Sequence, residues 1–238
     1  MKVDNQVLLE HYLHEQKRYI CKEFSEEMST CIISTTIHKI LRHSKDYNWM
    51  LFAVPGTDQR SVIVIQKSHR SIPELWVRWN YKSYRKAFTN FLNFYYFMSL
   101  EKIPSAYQVD HLQSKGRFKP EHKDYFVRLA LLDRRVNASH GAGFEKSFNA
   151  TESLRELSGG IHMDWMAFLK IYGVTLPSKR APKTKWMKWA HETALLMEKD
   201  GIDIYQLAYH GILSVLQLGF TGFYSGSADA GPYVVSLK

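Results

Sequence analysis

The sequence predicts an α+β fold, mostly helical, on three observations. Apolar residues recur at helical spacing through several long stretches. One short run, Ser61–Lys67 (SVIVIQK), is β-branched and reads as a strand. Hydrophobic residues make up 45% of the 238 and aromatics 14%, which supplies a core and argues against disorder.

Taken in order, residues 4–24 read as an amphipathic helix. Val7, Leu8, Tyr12, Leu13 and Tyr19 fall near helical spacing, with Glu10, Glu15 and Lys17 between them. A second helix is expected from Ser25, as its cap, to about Arg42. Asn48–Val54 is apolar and stops at the turn signal Pro55-Gly56, so it can pair with Ser61–Lys67 as a hairpin across Gly56–Arg60. Trp76, Trp79 and Tyr81 follow. Lys82–Leu100 then reads as a helix. Its Phe88, Phe91, Leu92, Tyr95 and Tyr96 suit a core stripe better than a base-stacking platform. Ile161–Tyr172, Lys183–Lys199 and Ile204–Leu218 read as three helices separated by Gly173, Pro177 and Gly201. The organisation expected is residues 1–100 as a helical region with a short hairpin, 101–150 as a central unit, 151–220 as a C-terminal helical region and 221–238 as a glycine-rich, loosely packed tail. Together they make one compact unit.

The charge narrows the partners. Lys and Arg number 32 against 23 Asp and Glu, a formal charge of +9. That excess favours a polyanion, since each phosphate neutralised releases a condensed counterion. Two cysteines, Cys21 and Cys31, with no CxxC pair, exclude a zinc ribbon and read as reduced core thiols. Asp4, Glu10 and His11 interrupt any signal-peptide core, and no apolar run reaches the roughly 18 residues of a membrane span. A cytoplasmic protein without a membrane role is expected. A protein partner and the oligomeric state are left open.

The chemistry is concentrated in Tyr107-Gln-Val-Asp-His-Leu-Gln and Phe126-Val-Arg-Leu-Ala-Leu-Leu-Asp-Arg-Arg-Val-Asn-Ala-Ser-His140. The first stretch suits a strand ending at Asp110 and His111. Ser114–Lys123, with Gly116, Pro120 and many charges, reads as a loop. FVRLALL suits a second strand, and Asp133 can cap a helix that carries Asn137.

This order, with Asp110-His111 at the end of the first strand and Asn137 on the helix, resembles the core of the HNH (His-Me finger, ββα-metal) endonucleases over residues 107–146. The resemblance implies a ββα-metal finger embedded in a helical scaffold. It also implies a metal-dependent endonuclease acting on DNA in preference to RNA, in the kind of defence or mobile-element system where such modules occur. His111 would be the general base, because a neutral imidazole takes a proton from water near neutral pH. Asp110 and Asn137 would hold a hard cation, Mg²⁺ first and Mn²⁺ or another divalent ion second, with His140 as a further ligand. All three side chains, Asp110, His111 and Asn137, must then meet in one cleft.

Arg128 departs from the family, which has Asn there to orient the base. A guanidinium only donates, so Arg128 is assigned to the scissile phosphate. Arg134 and Arg135 are further phosphate contacts, as are Lys115, Arg117 and Lys119 in the loop. Lys183, Lys185 and Lys188 beside Trp186 and Trp189 suit a nucleic-acid track, or equally an ordinary amphipathic helix. The alternative function is a non-catalytic nucleic-acid-binding protein that retains the finger fold.

Overall fold

A computed structural model describes residues 4–26, 31–141, 160–178, 180–201 and 208–213. Helix α1 (Asn5–Glu26) is followed by β1 (Ile32–Thr36), α2 (Ile37–Tyr47), β2 (Met50–Phe52), β3 (Val62–Gln66), β4 (Glu74–Arg78) and α3 (Tyr84–Tyr95). Then come β5 (Tyr107–His111), β6 (Tyr125–Asp133), α4 (Arg134–His140), β7 (Ile161–His162), α5 (Trp165–Tyr172) and α6 (Lys183–Lys199). Residues 208–213 are also helical. The fold is α+β, and no helix among the described residues is long and apolar enough to cross a membrane.

An antiparallel sheet in the order β2-β3-β4-β6-β1-β7 organises these elements, with β5 paired to β6 off that path. Strand β6 is the spine. Its first half is flanked by β4, through Trp76↔Arg128 and Arg78↔Phe126, and by β1, through Ser34↔Val127. Its second half takes β5. Where β4 has ended, the Gln16 amide of α1 replaces it: Gln16 Nε2 donates to Leu131 O at 2.8 Å, and Leu131 N donates to Gln16 Oε1 at 3.0 Å. A buried backbone pair is thereby satisfied without a strand.

The sheet separates two main cores. Val109, Leu129 and Leu131 pack with α3 (Phe88, Phe91, Leu92), where the aromatic residues form the core stripe. Ala130 and Leu132 pack with α5, α6 and residues 208–213. Helix α1 reaches both cores, with Leu9 and Tyr12 in the first and Ile20 and Phe24 in the second.

Four expectations change. The helix from Ser25 to Arg42 is interrupted, because Ile32–Thr36 (IISTT) is β-branched and pairs with β6. The helix starts only at Ile37, capped by Thr36, whose Oγ1 accepts from Lys39 N at 3.4 Å. The helix expected from Ile161 starts at Trp165, where Asp164 Oδ1 accepts from Ala167 N at 2.7 Å. Residues 161–162 instead pair with β1. Gly160 precedes that bridge with φ +144°, and a Cβ there would stand 2.6 Å from Ser34 O. Third, the hairpin belongs to a larger antiparallel sheet, with the helices packed on both of its faces. Strand β4 (ELWVR), which supplies one flank of β6, has no alternation to announce it, because it is buried throughout its first four residues. The Lys82–Leu100 helix is confined to Tyr84–Tyr95, and Phe97 just beyond it has a positive φ of 53°. The expected tail, and residues 204–207 and 214–218 of the last helix, lie outside the described residues.

Candidate active site

The segment 107–140 is a strand, a loop, an antiparallel strand and a helix, with register His111↔Leu129, Asp110↔Ala130 and Tyr107↔Asp133. Asp133 caps α4: its Oδ1 accepts from Arg135 N at 2.7 Å and Val136 N at 3.3 Å. Side chains alternate across a strand, so Gln108 and Asp110 share the face of Ala130 and Leu132. His111 leaves on the opposite face, with Leu129.

On the Asp110 face, Oδ1 accepts from the backbone N of His111 at 2.9 Å, and Oδ2 is ion-paired with Lys170 Nζ from α5. Lys170 is only 3% exposed, while the Asp110 side chain is 27% exposed, so the pair sits at the edge of the core with the carboxylate reaching solvent. Asn137 Nδ2 donates to Gln108 Oε1 at 2.8 Å, and Asn137 Oδ1 is buried without a hydrogen-bond partner. An orphaned buried oxygen is costly, so it marks a place for a missing donor or cation. The Asp110 carboxylate and this amide oxygen are hard donors on one face, the kind that would hold a Mg²⁺-type ion, and both Asp110 oxygens are at present engaged, by His111 N and by Lys170. His140 does not join them. It is 1% exposed, and its Nε2 donates to the Val174 carbonyl at 2.9 Å. Burial first, with Lys170 adding to it against that hydrogen bond, takes its pKa down to about 4. His140 as a metal ligand is therefore corrected to a residue that ties α4 to the start of the 174–178 segment. Among the described residues, no group of three or more His, Cys, Asp or Glu side chains gathers to hold a metal.

On the other face, His111 is 3% exposed and stands edge-on to Tyr84 of α3, with ring centroids 4.5 Å apart. Its Nε2 has no partner. Burial, then Lys115, Lys170 and Arg85, push its pKa down to about 3, so the ring is neutral. Lys115 Nζ lies over the Tyr84 ring, 4.3 Å from its centroid, and partial burial lowers its pKa against the pull of Asp110. The expected meeting of three side chains is thus only partly realised. Asp110 and Asn137 share a face. His111 parts from them because β5 keeps its period of two through residue 111. Lys115 and Lys170 are near enough to act on both sides of the hairpin end.

Arg128 is not placed to touch a phosphate. It is 3% exposed on β6, and its Nη1 lies 2.9 Å from Glu23 Oε2 and 3.1 Å from Glu74 Oε1. Lys67 completes a quartet, paired with Glu23 and 3.4 Å from Glu74 Oε1, while Trp76 Nε1 donates to Glu74 Oε2 at 2.9 Å. Burial alone would discharge these groups. Glu74 and Glu23 override it and hold Arg128 charged, and Lys67 and Arg128 bring Glu23 down to about 2. The residue expected at the phosphate is a structural cation.

Of the other basic residues, Lys115 and Arg117 sit in a 3-10 turn after β5, and Lys119 is exposed just beyond it. Arg134 and Arg135 are exposed at the start of α4, by the Tyr107↔Asp133 pair. That is the far end of the hairpin, roughly 13 Å from His111 at strand rise. On α6, Lys183, Lys185 and Lys188 face solvent while Trp186 is in the core. Trp189 is half-buried, and its Nε1 donates to Thr175 O at 3.0 Å. Those tryptophans are packing residues, so α6 matches the amphipathic-helix alternative. Lys170, Tyr84 and Arg85 were not anticipated. The one legible signal was Lys170, the lone charge in the apolar run Trp165–Tyr172. Comparison with family models, curated proteins and solved structures finds no match for this chain.

Proposed function

We propose that this protein is a metal-dependent endonuclease of the HNH type, hydrolysing phosphodiester bonds of DNA in preference to RNA. The observation that carries the reading is the hairpin–helix unit itself. Asp110 and the orphaned Asn137 oxygen share one face of it, and a neutral imidazole with an unpartnered nitrogen lies at the same strand end. A divalent cation held by Asp110 and Asn137, Mg²⁺ or alternatively Mn²⁺, would neutralise charge on the phosphate and on the leaving oxygen.

The chain's own groups do the rest. The unpartnered Nε2 of His111 accepts the proton of the attacking water. A base with a pKa near 3 is a weak one. Burial is the first cause of that depression, and Lys115, Lys170 and Arg85 add to it; an incoming phosphate would neutralise the two that lie nearer the surface, Lys115 and Arg85, and so recover only their part. Tyr84 holds the ring edge-on and limits its rotation.

Three observations favour a second reading. His111 leaves β5 on the face opposite Asp110 and Asn137, so the three side chains do not share the one cleft that the resemblance requires. Lys170 already neutralises Asp110, and Arg128 serves the core where the family has Asn. A non-catalytic nucleic-acid-binding protein has no need to release that carboxylate. Incubation with plasmid DNA and with RNA in Mg²⁺ or Mn²⁺ decides between them. The nuclease reading expects nicking that EDTA abolishes and that His111→Ala lowers by at least about 100-fold. Retention of nucleic acid with no cleavage in either metal establishes the second reading instead.

A further inference from the structure

The first turn of α3 is built against the usual electrostatics of a helix. A helix N-terminus carries about half a positive charge and favours acidic residues or a capping side chain. Here the first turn has no acidic residue, and Ser83 makes no side-chain cap. Lys82, Arg85 and Lys86 are all exposed at that end. Local rules broken without a local gain mark functional positions.

The tertiary structure adds to the imbalance. The loop after β5 is tied to the end of β4 and reaches this turn through Lys115. Trp79 stacks on Phe118 with centroids 5.5 Å apart, Arg78 Nη1 donates to Lys123 O at 3.2 Å, and Lys115 Nζ is 4.3 Å from the Tyr84 centroid. The Arg85 guanidinium stands 5.1 Å from the same ring centroid. Two cations from different elements therefore converge on Tyr84, the first residue of α3. Asp110, the carboxylate that acts on both Tyr84 and Lys115, is held by Lys170. The ring of His111, 97% buried and with Nε2 unpartnered, packs against that same tyrosine.

We propose that the first turn of α3 and the loop after β5 form one seat for the phosphodiester backbone of a nucleic acid. Arg85 and Lys115 grip one phosphate beside His111, and Lys82, Lys86 and Lys119 follow the strand away from it. The cations are spread along two adjoining segments rather than gathered in a pocket, which suits a linear polyanion of regular charge better than a single carboxylate or a free phosphate. The inference rests on the nuclease reading only for the identity of the phosphate beside His111, since the seat itself is defined by charge and packing.

The test is fluorescence anisotropy of a labelled 20-base-pair DNA duplex with the whole protein, in EDTA so that no cleavage intervenes, across a NaCl series. Lys82→Gln/Arg85→Gln/Lys86→Gln should weaken binding at least tenfold at 100 mM NaCl. It should also flatten the slope of log K against log salt by about 2.7, three contacts at about 0.9 each. Lys183→Gln/Lys185→Gln/Lys188→Gln removes equal charge from α6 and should weaken binding less than threefold. A thermal melt no lower than that of the parent shows the first variant is folded.

An α3 variant that binds within twofold of the parent overturns the seat, as does an equal loss from both variants. So does a polyglutamate competitor as effective as DNA, which would assign the face to an acidic protein. The two proposals fail separately. A protein that cuts DNA but binds it independently of α3 keeps the nuclease reading and loses the seat. One that binds through α3 and never cuts keeps the seat and loses the nuclease.

Discussion

Two charged clusters in this protein lie only a few residues apart along β6, and they are built on opposite principles. Around Arg128, two cations (Arg128, Lys67) meet two carboxylates (Glu23, Glu74), all within the core between α1 and the sheet. Charge is balanced, and Arg128 and Glu74 are buried. Around the end of β5, Lys115, Lys170 and Arg85 surround one carboxylate and a neutral imidazole, with Lys115 half-buried and Arg85 exposed. A balanced, buried set has its partners inside the chain. An unbalanced set at a rim leaves positive charge for something outside it. Residue type alone misleads here, since Arg128, in the second strand of the motif, is enclosed in the core, while Arg85, outside the motif, is exposed beside Tyr84.

The largest expected effect lies in the balanced cluster. Arg128→Ala strands Glu23 and Glu74 in the core and should cost about 3–5 kcal/mol in urea denaturation. Nucleic-acid binding by whatever fraction stays folded should be unchanged. A variant of parental stability that has lost binding would reverse the two assignments. Next, His111→Ala should lower cleavage by about 100-fold or more, about 2.7 kcal/mol of barrier, while leaving the duplex affinity in EDTA within a few-fold of the parent.

Acid should reveal both clusters in turn. His140 and His111 have folded pKa values near 4 and 3, below the usual 6.5. The unfolded chain therefore binds more protons, and their contribution to stability is full above pH 6.5 and declines as pH falls towards 4 and 3. Glu23, near 2 against a usual 4.5, adds a later loss that sets in below pH 4.5. Urea midpoints from pH 8 to 3 should show the decline beginning near 6.5, and His140→Gln should make its upper part shallower. A midpoint flat down to pH 4.5 would mean the two histidines are not buried in neutral form.

Lys170→Met tests the rim more finely. It removes the cation from Asp110 and leaves an apolar chain in an apolar helix, so stability should stay within about 1.5 kcal/mol of the parent. Mn²⁺ affinity by titration calorimetry should rise about tenfold. No rise would show that Asp110 is not where the ion binds. The smallest effect is the stability gain of Lys82→Gln/Arg85→Gln/Lys86→Gln. Relieving a cationic helix start should add about 0.3–1 kcal/mol at low salt, so a loss would indicate that these side chains serve the fold.

The features that proved legible in the sequence are the local ones. The hairpin strands, the Asp133 cap and the buried stripe of Phe88, Phe91 and Leu92 each follow from neighbours within a few residues. The missed strands β1 and β4 owe their state to β6, which is about 50 to 90 residues further along the chain. Glu23, Lys67, Glu74 and Arg128 span 105 residues, and no spacing rule connects them.

By itself, the sequence determined that Tyr107–His111 and Tyr125–Asp133 form strands with a capped helix after them, because β-branching, alternation and side-chain capping act over short range. It also contained, in that same alternation, the parting of Asp110 from His111. Only the tertiary structure decided what covers each face: Lys170 of α5 over the carboxylate, and Tyr84 of α3 against the imidazole. Burial and long-range charge are properties of the assembled chain, and they settle which arginine is enclosed in the core and which one reaches solvent.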